Sequence, residues 1–150
     1  MIVLRVLQFI AVVLTAMALI PPGAHLLELP HKIALTEHDY FVVQSIYRGW
    51  ALFGTVIIAA MVANLALALM LARRRGPFWS SLAAGLILAA TLLVFFVWTY
   101  PANQATSNWT MVTADWQRLR AQWEWSHAAN AVLNFIALCC ASASALALRD

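Results

Sequence analysis

Charged residues are scarce in this chain. Only 10% of its 150 residues are Asp, Glu, Lys or Arg, whereas 64% are hydrophobic. Soluble domains contain about 25% charged residues, and a folded chain of this size has too much surface for so few charges to cover. The composition excludes a cytosolic enzyme, a disordered chain and a nucleic-acid-binding protein. It predicts one integral membrane domain over residues 1–150.

Cysteine is also rare. The two cysteines, Cys139 and Cys140, are adjacent within an apolar run. Neighbouring residues of a helix point in different directions, and neither cysteine has a spaced partner elsewhere in the chain. This pattern argues against a structural disulfide and against a thiolate metal site.

Four long apolar stretches dominate the sequence. They cover approximately residues 1–20, 49–72, 78–100 and 126–148. Each supplies the roughly 20 residues that a helix needs to cross a bilayer, and backbone groups in lipid must pair internally. We therefore expect an all-α bundle of four transmembrane helices. A cleaved signal peptide is the alternative for the first stretch, since Arg5 precedes its apolar run and Ala16-Met17-Ala18 resembles a cleavage site.

The basic residues predict how the chain is oriented. Arg73-Arg74-Arg75 occupy the short connection between the second and third stretches, and basic residues mark the cytoplasmic side. Both termini are then cytoplasmic, and the two longer connections lie on the opposite face, which is the periplasm in a bacterium. We expect an inner-membrane protein. No charge lies clearly at mid-membrane and no span is interrupted by Gly or Pro at its centre, which argues against a transporter or channel.

Polar chemistry concentrates in the two outer connections. All four histidines, all three glutamates and every tryptophan except Trp79 lie in or beside them. His25 and Glu28 are three residues apart near the end of the first span, and Glu124 and His127 have the same spacing at the start of the fourth. Residues three apart share one face of a helix. Because these helix ends share a membrane face in an up-down bundle, we expect a polar pocket at the periplasmic end.

Two interpretations of this pocket remain open. Carboxylate–imidazole pairs on facing helices hold metal ions in four-helix bundles, so the pocket is predicted to bind iron or zinc, less suitably copper, or haem. The candidate metal ligands are His25, Glu28, Glu124 and His127. The alternative is a hydrogen-bonded network without metal. Its basic partners would be Lys32, Arg48, Arg118 and Arg120.

The start of the second span carries further candidate residues. Arg48 lies near an apolar boundary, where an arginine is costly unless it is paired or extends to the interface. We expect it to pair with Glu28 or Glu124, or to contact an anionic or quinone-like oxygen. An interface anchor is the alternative. Gln44 and Tyr47 are three residues apart and are predicted to face the same way.

The second outer connection contains three patterns. Asn108-Trp109-Thr110 fits an N-glycosylation acceptor, a motif that also occurs often by chance. Asp115 is expected to cap the helix that leads into the fourth span. Trp116, Leu119 and Trp123 form one apolar stripe, which is more typical of packing than of a ligand cage.

Taken together, these residues resemble a known family. The matching positions are Ala24-His25-Leu26-Leu27-Glu28-Leu29-Pro30, Tyr40, Gln44, Ile46-Tyr47-Arg48-Gly49-Trp50, Asn108-Trp109-Thr110, Asp115-Trp116, Leu119-Arg120, Trp123-Glu124 and His127. The pattern is similar to the anthrone oxygenase-like family of small four-helix membrane proteins, and it covers about the whole chain. A few members are implicated in oxidising polyketide anthrones to anthraquinones with molecular oxygen. The resemblance therefore implies O₂ chemistry on an aromatic, membrane-soluble substrate.

The leading functional hypothesis is a membrane-embedded oxidoreductase that acts on a hydrophobic aromatic or quinone-like substrate. Its finer form is a metal-dependent oxygenase. Its predicted catalytic residues are His127, Glu124, Arg48 and Tyr47. Its predicted substrate contacts are Asn108, Arg120, Trp109, Trp123 and Gln44. Without a metal, His127 would remove an activated C–H proton as a general base, oriented by Glu124 or Glu28. The alternative is a non-catalytic subunit that holds a lipid, a quinone or haem, alone or as a homo-oligomer.

Overall fold

The computed structural model describes residues 2–147, and all regular secondary structure in this range is helical. The α-helices are α1 (Ile2–Lys32), α2 (Glu37–Gln44), α3 (Phe53–Met70), α4 (Arg75–Val94), α5 (Tyr100–Ala105) and α6 (Trp116–Leu146). Two short 3₁₀ turns, Ser45–Tyr47 and Trp50–Leu52, connect α2 to α3. A π-helical segment, Phe95–Thr99, joins α4 to α5.

Four helical segments are long and apolar enough to cross a membrane. They are Ile2–Lys32, Trp50–Met70, Arg75–Ala105 and Trp116–Leu146, and their most apolar windows have mean hydropathies of 1.7 to 2.4. The prediction of four apolar helices compatible with membrane spanning is confirmed.

The helices extend beyond the apolar stretches that predicted them. α1 continues through Pro21 and Pro22 to Lys32, and α6 begins at Trp116, ten residues before the predicted start of the fourth span. The additional turns pack against a cluster of buried residues that lies outside the apolar stretches. It consists of Tyr40, Ala102, Trp109, Trp116, Leu119 and Trp123, each at most 9% exposed. Burial of this aromatic surface stabilises the extra helical turns.

The four long helices form a ring. α1 packs against α3 and α6, and α4 packs against the same two helices. Small residues such as Ala18 and Ala60 are fully buried inside, whereas Phe9, Leu69 and Leu93 are more than half exposed on the outside. Small residues at helix contacts and large apolar residues outside are the distribution expected of a bundle surrounded by lipid.

The helices alternate in direction. The short turn that contains Arg73, Arg74 and Arg75 joins the end of α3 to the start of α4. The opposite end of the bundle gathers the last turns of α1, the first turns of α3 and α6, and the π-helical segment. We call it the polar end, because it contains the candidate site.

Candidate functional site

A buried lysine lies at the centre of the polar end. Lys32, in the last turn of α1, has a side chain only 4% exposed. Its Nζ lies 3.0 Å from Oε1 of Glu124 on α6 and 3.8 Å from Oε2 of Glu28, one turn earlier on α1. Glu124 is fully buried. A buried charge is costly unless it is paired, so these three residues form an internal ion-pair network between α1 and α6.

Aromatic rings surround the ammonium group of Lys32. Its Nζ lies 4.5 Å from the ring centre of Tyr47, 4.7 Å from that of Trp123 and 5.7 Å from that of Tyr40. A cation within about 6 Å of an aromatic ring is attracted by the ring quadrupole. These three rings therefore replace part of the hydration that the Lys32 ammonium group loses on burial.

The two tyrosines also bind the carboxylates. The Tyr40 hydroxyl donates to Oε1 of Glu124 over 3.0 Å, and the Tyr47 hydroxyl donates to Glu28. Burial, followed by the nearby Glu124 carboxylate, raises the pKa of Tyr40 above its usual value. Burial and the hydrogen bond to Glu28 raise the pKa of Tyr47 in the same way. Both hydroxyls therefore remain protonated donors at neutral pH.

Two imidazoles meet beside this network. The ring centres of His25 on α1 and His127 on α6 are 4.5 Å apart. The ring of Trp123 lies 3.9 Å from that of His127 and 4.7 Å from that of His25. Nδ1 of His127 lies 2.9 Å from the carbonyl oxygen of Trp123. Because a carbonyl only accepts hydrogen bonds, Nδ1 carries the hydrogen and Nε2 keeps the lone pair of the neutral ring.

The structure brings the four predicted metal ligands into one cluster, but their contacts do not fit a metal centre. His25 Nδ1 lies 3.5 Å from Glu28 Oε2, while the Lys32 ammonium occupies the position between the two carboxylates. Across residues 2–147, no group of three or more His, Cys, Asp or Glu side chains is placed to hold a metal ion. The contacts observed are those of a hydrogen-bonded network in which Lys32 is the cation. Metal and haem binding stay predictions.

A cavity of about 410 Å³ adjoins the imidazoles. Small-molecule sites typically measure about 300–1,000 Å³. The predicted site residues on its wall are His25, Gln44, Tyr47, Arg48, Asn108, Trp109, Trp123 and His127. Residues on the wall that were not predicted include Pro21, Trp50, Phe95, Thr99 and Asn103. The cavity thus combines two imidazoles, several aromatic rings and neutral amides.

Three predicted roles of charged residues are corrected by the structure. Arg120 is not on the cavity wall; its guanidinium donates to the Leu35 carbonyl over 2.7 Å and lies 4.6 Å above the Trp116 ring. It therefore connects α6 to the segment before α2, away from the predicted substrate position. Arg48 is on the wall, but it forms no ion pair with either glutamate of the cluster, because Lys32 and the tyrosines already bind them.

The third correction concerns Asp115. It directly precedes α6, yet its side chain makes no capping hydrogen bond to the helix backbone. The carboxylate instead binds the guanidinium of Arg118, and this hydrogen bond is the largest cause of a pKa below its usual value. The pair is solvent-exposed, so screening by water limits its effect on stability.

Asn103 holds two indoles of the cavity wall in place. Its Oδ1 accepts hydrogen bonds from Nε1 of Trp109 over 3.1 Å and from Nε1 of Trp123 over 2.8 Å. Asn103 is not among the predicted site residues. The sequence places Asn103 only in the polar second outer connection. Its hydrogen bond to Trp123 spans twenty residues, so no local pattern predicts it.

The backbone on both sides of Asn103 departs from regular α-helix. Ser107, Asn108 and Trp109 have φ values of 50°, 56° and 61°, and each left-handed residue costs about 1–2 kcal/mol. The turn is held by a hydrogen bond of 2.6 Å from the Asn108 amide to the Asn103 carbonyl. As a result, Asn108 and Trp109 reach the cavity wall. Left-handed residues of this kind concentrate at functional sites.

The π-helical segment supplies the opposite part of the wall. Phe95 and Thr99, its first and last residues, both line the cavity. The Thr99 hydroxyl is hydrogen-bonded to the Ser126 hydroxyl of α6 over 2.7 Å. Single π-helical turns occur frequently at functional sites.

Comparison of the chain with protein-family models, curated proteins and solved structures gives no match. The resemblance described above stays a prediction, and the function is argued below from the geometry of the polar end.

Proposed function

We propose that this chain is an integral membrane oxidoreductase that binds a hydrophobic aromatic molecule in the cavity and removes a proton from it. The observation that carries the proposal is the pair of imidazoles on the wall of a cavity of about 410 Å³, with ring centres 4.5 Å apart. Imidazole is the side chain best suited to accept a proton near neutral pH.

The chemistry of the wall favours a flat, partly polar ligand. Tyr47, Trp50 and Trp109 provide aromatic surface, which binds planar rings through offset or edge-to-face contacts. The side-chain amides of Gln44 and Asn108 provide hydrogen bonds for a carbonyl or hydroxyl oxygen. A hydroxylated anthrone or quinol has both features.

The reaction then needs no charged group on the cavity wall, because its base is a neutral imidazole. Nε2 of His127 accepts the C–H proton of a methylene group that lies between two aromatic rings. The resulting carbanion reduces O₂ and forms a C–O bond to it, which gives a peroxide anion. Nε2 of His127 returns its proton to this anion, and the hydroperoxide loses water to leave a carbonyl. One O₂ is consumed and one water is released for each methylene oxidised. The network of Lys32, Glu28 and Glu124 keeps the imidazoles in position from behind.

The orientation proposed for the bundle rests on the arginine turn. Arg73, Arg74 and Arg75 are exposed at the end opposite the cavity. The positive-inside rule places this turn and both termini in the cytoplasm. The cavity then faces the periplasm of a bacterial inner membrane, where a hydrophobic ligand reaches it from the lipid or from the outer surface.

The test is O₂ uptake by the purified protein with dithranol, a hydroxylated anthrone, alongside a protein-free reaction. We expect enzyme-dependent O₂ consumption matched by anthraquinone formation. His127→Ala should lower kcat by about 10²- to 10⁴-fold, the usual contribution of a general base, and His25→Ala should impair it as well. His38→Ala is the matched control, because His38 is exposed and not on the cavity wall. Equal rates for wild type and His127→Ala would contradict the proposal.

A non-catalytic binding subunit is the second candidate. It is favoured by the aromatic wall of the cavity, which can bind a planar ring without any reaction. Anthraquinone binding by the wild-type protein, detected as quenching of tryptophan fluorescence without any O₂ uptake above the protein-free rate, would support this function instead.

A further inference from the structure

The cavity wall carries one permanent charge. Arg48 is the only Asp, Glu, Lys or Arg among the wall residues, all of which belong to the described chain. The carboxylates of Glu28 and Glu124 do not line the cavity, and both pair with Lys32. A ligand in the cavity therefore meets a guanidinium and no carboxylate.

Arg48 is also free to bind a ligand. Its side chain is exposed, and within residues 2–147 no carboxylate lies at ion-pair distance from it. An arginine at an apolar boundary is costly without a partner. The guanidinium presents a fork of donors that matches the two oxygens of a carboxylate.

The local backbone fixes the position of Arg48. Gly49 has φ 88°, a conformation that side-chain-bearing residues rarely adopt. It interrupts the helical path between the turn that ends at Tyr47 and the turn that begins at Trp50. Arg48 directly precedes this glycine, and the chain places it between Tyr47 and Trp50, two aromatic residues of the wall.

We propose that the ligand of this cavity is an aromatic molecule with an ionised oxygen group, such as a carboxylate or phenolate, that pairs with Arg48. Its rings lie against the aromatic wall, and its anionic group lies at the exposed side of the cavity, where Arg48 and Asn108 reach the surface. This inference rests on the proposed function, since it names the substrate class of the same cavity.

The experiment compares two probes of nearly the same size and shape, 9,10-anthraquinone-2-carboxylate and its uncharged primary carboxamide, in which an NH₂ group replaces one carboxylate oxygen. Binding is measured by quenching of tryptophan fluorescence, since Trp50, Trp109 and Trp123 line the cavity. We expect the wild-type protein to bind the carboxylate at least roughly tenfold more tightly, the usual effect of a charge-assisted hydrogen bond. Arg48→Gln should remove this preference and leave the carboxamide affinity within a few-fold, while Arg48→Lys should keep part of it.

Arg118→Gln is the matched control, because Arg118 is exposed at the same end of the bundle but not on this wall. It should leave both affinities unchanged. Equal wild-type affinities for the two probes, or an equal loss of both in Arg48→Gln, would overturn the inference while leaving the proposed function in place. If neither probe binds the wild-type protein, the proposed function fails and the inference fails with it.

A phospholipid is the other source of an anionic oxygen. Dihexanoylphosphatidylglycerol is therefore added as a competitor, with the zwitterionic phosphatidylcholine of the same chain length as its control. The anionic lipid could displace the bound probe more strongly than unlabelled aromatic carboxylate does, and lose this effect in Arg48→Gln. That result would overturn the assignment to a small aromatic molecule. Weak competition by both lipids supports it.

Discussion

Lys32 provides the counter-ion for two carboxylates inside the bundle. Its Nζ contacts Glu124 at 3.0 Å and Glu28 at 3.8 Å, within a cage of aromatic rings. Glu124 has no exposure to solvent, so it depends on this ammonium and on the Tyr40 hydroxyl for its charge. The free energy of unfolding should therefore depend strongly on the ion pair between Lys32 and Glu124.

Lys32→Met should therefore be strongly destabilising. It leaves Glu124 buried without a cation, and removing one partner of a buried ion pair costs about 3–5 kcal/mol. The double variant Lys32→Met/Glu124→Gln should be more stable than the single variant, because it removes the stranded charge. The measurement is denaturant unfolding of the purified protein in detergent, followed by tryptophan fluorescence.

Arg118→Met is the control for this prediction. It breaks an ion pair of comparable chemistry, but the Arg118 side chain is 68% exposed. No resolvable change in stability is expected. A Lys32→Met variant as stable as the wild type would show that the buried pair contributes nothing to folding.

The residues of the site differ in how far the sequence predicts them. Those on one helix are predictable, because the spacing in His25–Glu28 and Glu124–His127 places each pair on one helical face. Lys32 lies one turn beyond Glu28 and shares that face, yet its burial depends on α6, which a local pattern does not include. The bond from Tyr40 to Glu124 crosses 84 positions. No spacing rule reaches that far.

At the scale of the elements, apolar runs locate the spans but not the helix ends. The fourth apolar run starts near residue 126, whereas α6 starts at Trp116, directly after Asp115, the residue expected to precede this helix. Backbone hydrogen bonds continue past the edge of an apolar run wherever packing supports them. Here the aromatic core around Tyr40 and Trp109 supplies that packing. The π-helical segment at Phe95–Thr99 has a marker in the sequence, because Pro101 leaves the Val97 carbonyl without its usual helical partner.

Helices α3 and α4 approach each other at Gly85. A Cβ atom on this residue would lie 2.5 Å from Cδ2 and 2.7 Å from Cγ of Leu65. Gly85→Ala should therefore lower the free energy of unfolding by about 1–3 kcal/mol, the usual cost of overpacking a core. Thermal unfolding in detergent measures the effect.

Two further variants make this test specific. Gly85→Ala/Leu65→Ala should recover part of the loss, because the shorter side chain removes the clash. Gly76→Ala is the matched control on the same helix, since a Cβ there has nothing within 4 Å. A loss of stability in Gly76→Ala equal to that in Gly85→Ala would refute packing as the cause.

At the scale of the whole molecule, the bundle is chemically asymmetric. One end has an exposed turn of three arginines, and the other has the cavity, both imidazoles and the buried ion pairs. The number and helical nature of the spans follow from composition, because lipid allows few other backbone structures. The membrane side of each end is inferred from charge alone.

Labelling of single cysteines tests this orientation. In a background with Cys139 and Cys140 replaced by serine, Glu37→Cys and Arg74→Cys place one thiol at each end, both at exposed positions. A membrane-impermeant maleimide added to intact bacterial spheroplasts should label position 37 and not position 74, which should react only after lysis. The reverse pattern would place the cavity on the cytoplasmic side.

The consecutive prolines of α1 also affect its mechanics. Pro21 and Pro22 have no amide hydrogen, so the carbonyls of Met17 and Ala18 lose their usual helical partners. Two consecutive backbone hydrogen bonds are therefore missing, and α1 bends most easily between residues 17 and 22. Bending there changes the distance between His25 and α6, and with it the width of the cavity. Pro30 lies between His25 and Lys32 and removes one more backbone hydrogen bond, so the turn that carries Lys32 has a second point at which it can bend.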